Sequence, residues 1–142
     1  MSVKLHHKNI HIILASGSPR RKDLLESIGV SFEVIPSDVE ESFPVGETPS
    51  EGVRRLSLEK AREVSDRNPG YWTLGADTVV VIDGQILGKP ADKTEARAML
   101  TRLNGRIHEV FTGFSLLNSK CAHYMVTDFC RSEVLIRELS QN

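Results

Sequence analysis

Apolar and polar positions along the chain follow two rhythms, one suited to strands and one to helices, and the changes between them mark the elements. Ile10 to Leu14, apolar but for His11, reads as a short buried strand. Ser18 and Pro19 suit the cap and first position of a helix, which the pattern carries from Pro19 to about Ile28 and stops at Gly29. Phe32 and Val34 alternate with polar neighbours between Ser31 and Pro36, a second strand. An acidic stretch punctuated by proline and glycine, Ser37 to Pro49, reads as a loop. Thr48-Pro49-Ser50-Glu51 has the form of a capping box opening a helix to about Asp66, before Asn68-Pro69-Gly70. Trp72 to Ile82 is a long apolar strand, Asp83-Gly84 a hairpin turn, and Gln85 to Leu87 the short return. Asp92-Lys93-Thr94-Glu95 repeats the capping pattern, with Ala96, Met99, Leu100 and Leu103 on one helical face before Asn104-Gly105. Ile107 to Leu117 and His123 to Ile136 read as two long strands joined around Asn118-Ser119. The order β-α-β-α-β-β-α-β-β predicts an α/β fold with a mixed central sheet flanked by helices. No repeat or linker divides the 142 residues, so residues 1–142 read as one domain.

Bulk properties exclude several classes. Net charge is −1, so nothing attracts nucleic acid or an anionic membrane in general, and any anion site must come from local clustering of basic residues. No stretch approaches the roughly 20 apolar residues of a membrane span, and Leu5-His6-His7-Lys8-Asn9 interrupts any signal-like run; the expectation is cytoplasmic. Cys121 and Cys130 lack metal-ligand or CxxC spacing and read as free thiols. His108, His123 and the His6-His7 pair read as solvated or structural, and Trp72, Phe111 and Phe114 as core.

Several charges sit where charge is costly. Arg20 and Arg21 occupy the first turn of a helix, where unpaired amides and the dipole favour an anion, and a phosphate between them is the natural candidate. Arg21 also shares a face with Leu24, Leu25 and Ile28. Val53, Leu56, Ala61 and Val64 form the apolar stripe of the second helix, and Lys60 falls in its middle. A lysine there either snorkels past the core or, with Arg21, lines a shared electropositive cleft. Asp77 lies on the same side of an apolar strand as Val79 and Val81, so it needs a cation, a metal or good hydrogen bonds. A salt bridge to Lys60 or Lys89 is one reading, and a general base or metal carboxylate the other. Lys89 sits in a rigid Gly88-Lys89-Pro90 turn, and Glu40 and Glu41 open the acidic loop as a plausible site for a hard cation such as Mg²⁺.

Taken together, Leu14-Ala15-Ser16-Gly17-Ser18-Pro19-Arg20-Arg21, Val39-Glu40-Glu41, Glu59-Lys60-Ala61, Gly75-Ala76-Asp77-Thr78 and Gly88-Lys89-Pro90 resemble the motifs of the Maf family of nucleoside triphosphate pyrophosphatases. The resemblance implies an inosine triphosphate pyrophosphatase-like fold and hydrolysis of a nucleoside triphosphate to the monophosphate and pyrophosphate. It implies a divalent cation, Mg²⁺ or alternatively Mn²⁺, held by Glu41 and Asp77. It implies Asp77 as the base, Lys60 and Lys89 as further catalytic cations, and Ser16, Arg20, Arg21 and Thr78 as substrate-binding residues. Arg20 after Pro19 and Thr78 after Asp77 are similar to the branch acting on dTTP and UTP. A homodimer and a link to septum formation are further family expectations. Ser57 stands where the family has a small apolar residue. The chain stops where family members continue for roughly a quarter of their length, so an exposed apolar surface is expected. A nucleotidyltransferase and a non-catalytic nucleotide-binding regulator of cell division remain as alternatives.

Overall fold

The computed structural model describes residues 11–121 and 124–140. Ile10, His123 and the His6-His7 pair lie outside them. The elements are β1 (Ile12–Leu14), α1 (Pro19–Ser27), β2 (Phe32–Val34), α2 (Pro49–Arg67), β3 (Trp72–Ile82), β4 (Gln85–Leu87), α3 (Lys93–Leu103), β5 (Ile107–Leu117) and β6 (Val126–Leu135), in the expected order. The strands form one mixed sheet in the order β2-β1-β3-β5-β6, with β4 also on β3. β2, β1 and β3 run parallel, while β4, β5 and β6 join by antiparallel ladders.

α2 is the helix that packs on this sheet. Its start is the predicted capping box: the Thr48 hydroxyl accepts from the Glu51 amide at 3.3 Å, and the Thr48 amide donates to Glu51 Oε2 at 3.2 Å. Val53, Leu56, Ala61 and Val64 are fully buried along it, as the apolar stripe requires. Two glycines set how closely it lies. A Cβ on Gly75 would stand 2.3 Å from the Ser57 carbonyl oxygen, and one on Gly113 would stand 2.1 Å from the Val53 carbonyl oxygen. The backbone of α2 therefore rests directly on β3 and β5. Ser57, buried in this contact, donates to the Arg54 carbonyl and lies 2.8 Å from the Ser115 hydroxyl, which in turn lies 3.0 Å from Thr127 Oγ1. A buried serine is tolerable there because its hydroxyl has partners.

Strand alternation divides β3 between two environments. Thr73, Gly75, Asp77, Val79 and Val81 are buried on the side of α2, and Thr78 is exposed on the other. That second side is sparsely covered: Phe114 is 37% and Val126 55% exposed. Three expectations are corrected here. α1 and α3 bury no residue, so Leu24, Leu25 and Ile28 do not form an inner face, nor do Ala96, Met99, Leu100 and Leu103. Phe114 is not core, although Phe111 is. Ser18 makes no side-chain cap; its amide donates to Ser16 Oγ at 3.3 Å. The physical reason is common to the helices and Phe114: an apolar stripe buries only when another layer faces it, and none among the described residues does. No described helix is long and apolar enough to cross a membrane.

The feature that places the site is a break in the sheet. β1 pairs with β3 only over Trp72–Leu74, ending with the Ala15 amide on the Leu74 carbonyl at 2.8 Å, and β4 begins to pair at Val80. Between them, positions 75–79 of β3 have no strand on that side among the described residues. The carboxyl ends of the parallel strands β1 and β2 open onto this break, the usual position of a ligand crevice in an α/β sheet.

The close approach of α2 gives a direct test. Gly113→Ala places a methyl against helix backbone that has no side chain to move aside, and a loss of about 2–3 kcal/mol in urea unfolding is expected. Wild-type stability in that variant would mean that α2 does not sit on the sheet as described.

Candidate active site

Lys60 is the centre of the charge cluster. The backbone of α2 carries it over β3 to face Asp77, and the residue is only 7% exposed, so it does not snorkel. Its ammonium donates to Asp77 Oδ1 at 2.9 Å and to Glu41 Oε1 at 2.8 Å. Two of its three protons are thus engaged and one remains. Asp77 forms the ion pair with Lys60 that the structural reading anticipated, and its Oδ2 is buried with no partner among the described residues. Burial pushes the Asp77 carboxyl above its ordinary value, and Lys60 pulls it part of the way back. Glu41 is held below the usual carboxylate range, chiefly by the hydrogen bond from Lys60.

Arg21 enters from the other side. Its guanidinium donates to Ser16 Oγ at 2.8 Å and to Thr78 Oγ1 at 3.0 Å, and Thr78 Oγ1 lies 3.1 Å from Thr112 Oγ1. Burial lowers the Arg21 pKa, and Asp77 and Glu41 pull it back up. β3 therefore acts as a blade through the site. Asp77 grips Lys60 on one face, its neighbour Thr78 grips Arg21 on the other, and the break lets both cations reach one space.

That space is a cavity of about 290 Å³ lined by Ser16, Arg21, Pro36, Glu41, Lys60 and Lys89, among others. Lys89 is well exposed at its rim, 3.9 Å from Glu41 Oε2. Of the residues singled out from the sequence, Ser16, Arg21, Glu41, Lys60 and Lys89 line the cavity. Asp77 lies beneath Lys60, and Thr78 supports Arg21 from behind. Arg20 and Glu40 are exposed and outside the lining. Sequence reasoning missed Thr112 and Ser37. Thr112 is found only by pairing it with Thr78 in the β3–β5 register. Ser37, which also lines the cavity, carried no sequence signal beyond its place after β2. A larger groove of about 460 Å³ along α3 holds, among the described residues, one cation, Arg97, and no carboxylate.

A basic pocket at the end of parallel strands, with a buried carboxylate beneath it, is the candidate site that this α/β sheet presents. A family model described as Maf-like protein matches residues 11–142, and the chain belongs to that family. It is 52% identical over 131 residues to the dTTP/UTP pyrophosphatase of Syntrophus aciditrophicus strain SB, covering 92% of this chain and 63% of that protein. It is 48% identical to the dTTP/UTP pyrophosphatase of Bacillus thuringiensis subsp. konkukian, covering 92% and 66%. The chain thus spans about two thirds of the length of the curated relatives it matches. Among solved structures, its fold is similar to a HAM1 protein from Coxiella burnetii, with a TM-score of 0.62 at 18% identity over 89% of this chain and 73% of that one. The Ham1 protein of Staphylococcus aureus gives a TM-score of 0.60 at 14% identity, covering 88% and 71%.

The Lys60–Asp77 pair makes a prediction with a sign. Lys60→Met leaves Asp77 buried without its ammonium, which costs on the order of 3–5 kcal/mol at pH 8. The carboxyl, raised in the folded state above its unfolded value, then costs nothing below the unfolded pKa and progressively more above it. The gap between variant and wild type, followed by chemical denaturation in EDTA, should therefore widen as pH rises from about 4. A gap independent of pH would contradict the pairing.

Proposed function

We propose that this chain hydrolyses a nucleoside triphosphate between the α- and β-phosphorus, releasing the monophosphate and pyrophosphate, with dTTP, UTP or modified pyrimidine analogues as substrates. The observation that carries this reading is the convergence of Arg21, Lys60 and Lys89 around a buried carboxylate with one free oxygen, Asp77 Oδ2. The substrate choice rests on the relatives named dTTP/UTP pyrophosphatase.

The chemistry follows from the geometry. The triphosphate lies across the cavity, and its oxygens compete with Glu41 and Asp77 for the Lys60 ammonium, which has a third proton to donate beyond these two bonds. Drawing Lys60 toward the phosphates uncovers Asp77. The Asp77 carboxylate then accepts the proton of a water attacking the α-phosphorus, the bond to the bridging oxygen breaks, and pyrophosphate leaves with the electron pair. Arg21, Lys60 and Lys89 stabilise the charge that develops on the leaving group. Arg21 is pre-oriented for this by Ser16 and Thr78, so little reorganisation is needed as the charge moves.

A divalent cation, Mg²⁺ or Mn²⁺, fits this donor set. Glu41 and Asp77 supply hard oxygens, one of them the unpartnered Asp77 Oδ2. Among the described residues no cluster of three or more His, Cys, Asp or Glu is present, so water and phosphate oxygens would complete the shell, as Mg²⁺ prefers. When bound, the ion would neutralise phosphate charge and polarise the phosphorus for attack.

Pyrophosphate release from a panel of nucleoside triphosphates with Mg²⁺ tests the reading. Turnover with triphosphate alone separates hydrolysis from nucleotidyl transfer to a sugar phosphate. Asp77→Asn is expected to lower kcat by about 10²–10⁴-fold while keeping nucleotide binding. Arg21→Ala is expected to weaken triphosphate binding by about 1.5–3 kcal/mol with little effect on nucleoside. Undiminished turnover in Asp77→Asn would remove Asp77 as the base.

A further inference from the structure

Glu41 reaches the cavity from a loop with no regular structure, residues 35–47, so something must hold its carboxylate in place. Arg55, on the second turn of α2, does not line the cavity, yet its guanidinium is almost fully engaged with this loop. Nε and Nη2 fork onto the Glu47 carboxylate at 2.7 and 2.9 Å, and Nη2 also donates to the Ser42 carbonyl. Nη1 donates to Glu59 at 3.2 Å. The Ser42 carbonyl belongs to the residue peptide-bonded to Glu41, and Glu47 closes the far end of the same loop. Phe43 anchors the middle. It packs against the core beside Val53, in space that exists because residue 52 is glycine: a Cβ there would stand 2.7 Å from the Phe43 ring.

We propose that Arg55 is a positioning residue that fixes the Glu41 carboxylate beside Lys60 by clamping both ends of the 42–47 segment. This rests on the reading of the cavity as a metal–polyphosphate site. The charge of Arg55 is not aimed at substrate, because Glu47 and Glu59 already neutralise it. Its planar fork is what the loop uses, since a lysine cannot reproduce two parallel bonds to Glu47 and one to a carbonyl. α2 thus carries both halves of the device: Lys60 binds the Glu41 side chain, and Arg55 binds the carbonyl of the next residue, Ser42.

The test is calorimetric binding of inorganic pyrophosphate in excess Mn²⁺, using the whole chain in five forms: wild type, Arg55→Ala, Glu41→Gln, the double variant and Glu47→Gln. Arg55→Ala should weaken binding about tenfold, the scale of losses when a group supporting a metal ligand is removed. In the Glu41→Gln background the same change should have little effect, because the carboxylate it positions is already gone. A loss of general positive charge would persist in both backgrounds and would overturn the proposal, as would unchanged binding in Arg55→Ala. Where Arg55→Ala does not fold by circular dichroism, Glu47→Gln removes the fork alone: weaker binding supports the clamp and wild-type binding sinks it. Absence of pyrophosphate binding by the wild type would instead overturn the functional reading on which the clamp rests.

Discussion

A single ammonium holds this site together. Lys60 is shared between Asp77, rooted in the middle of β3, and Glu41, on a loop. Without it, two carboxylates would face one another with one of them in the core, a cost of several kcal/mol. With it, an acid can be stored beneath a strand surface and remain chargeable. The arrangement depends on packing that looks unrelated to chemistry. Gly75 and Gly113 let the α2 backbone lie on the sheet, and that contact brings the Lys60 side chain to Asp77. The Thr48 capping box and Phe43 fix where α2 and its preceding loop begin.

The break along β3 turns this ion cluster into a site. Had β1 or β4 continued, positions 75–79 would be closed in and the two faces of the sheet would be separate. Instead Lys60 arrives from the α2 face and Arg21 from the opposite one, each held by consecutive residues of the same strand. The alternation that ordinarily keeps neighbouring side chains apart is used here to supply two supports for one pocket. Thr112 extends the support of Arg21 into β5.

The sequence made the central features readable because they violate local rules. Lys60 in an apolar stripe and Asp77 in an apolar strand each demanded a partner, and they proved to be one another's. Strands and helices with strong caps or turn signals, such as α2 and the β3–β4 hairpin, appear with nearly the expected bounds. What the pattern did not reveal depends on other layers and on distant pairing. The stripes of α1 and α3 promise burial but do not say against what, and Leu24, Ile28 and Leu100 stand largely exposed. Arg20 looked equivalent to Arg21, yet one helical step of 100° turns it to solvent. Thr112 and Arg55 act through partners 34 and 13 residues away, which no local spacing displays.

The most direct test of the shared-lysine pocket is a crystal structure of the chain with Mg²⁺ and an α,β-imido analogue of dUTP. The account predicts phosphate oxygens bonded to Arg21, Lys60 and Lys89 in the β3 break, with Lys60 drawn from the carboxylates and a water between Asp77 and the α-phosphorus. An analogue seated in the groove along α3, or a triphosphate in the break with Asp77 still sealed under Lys60 and remote from the α-phosphorus, would contradict it.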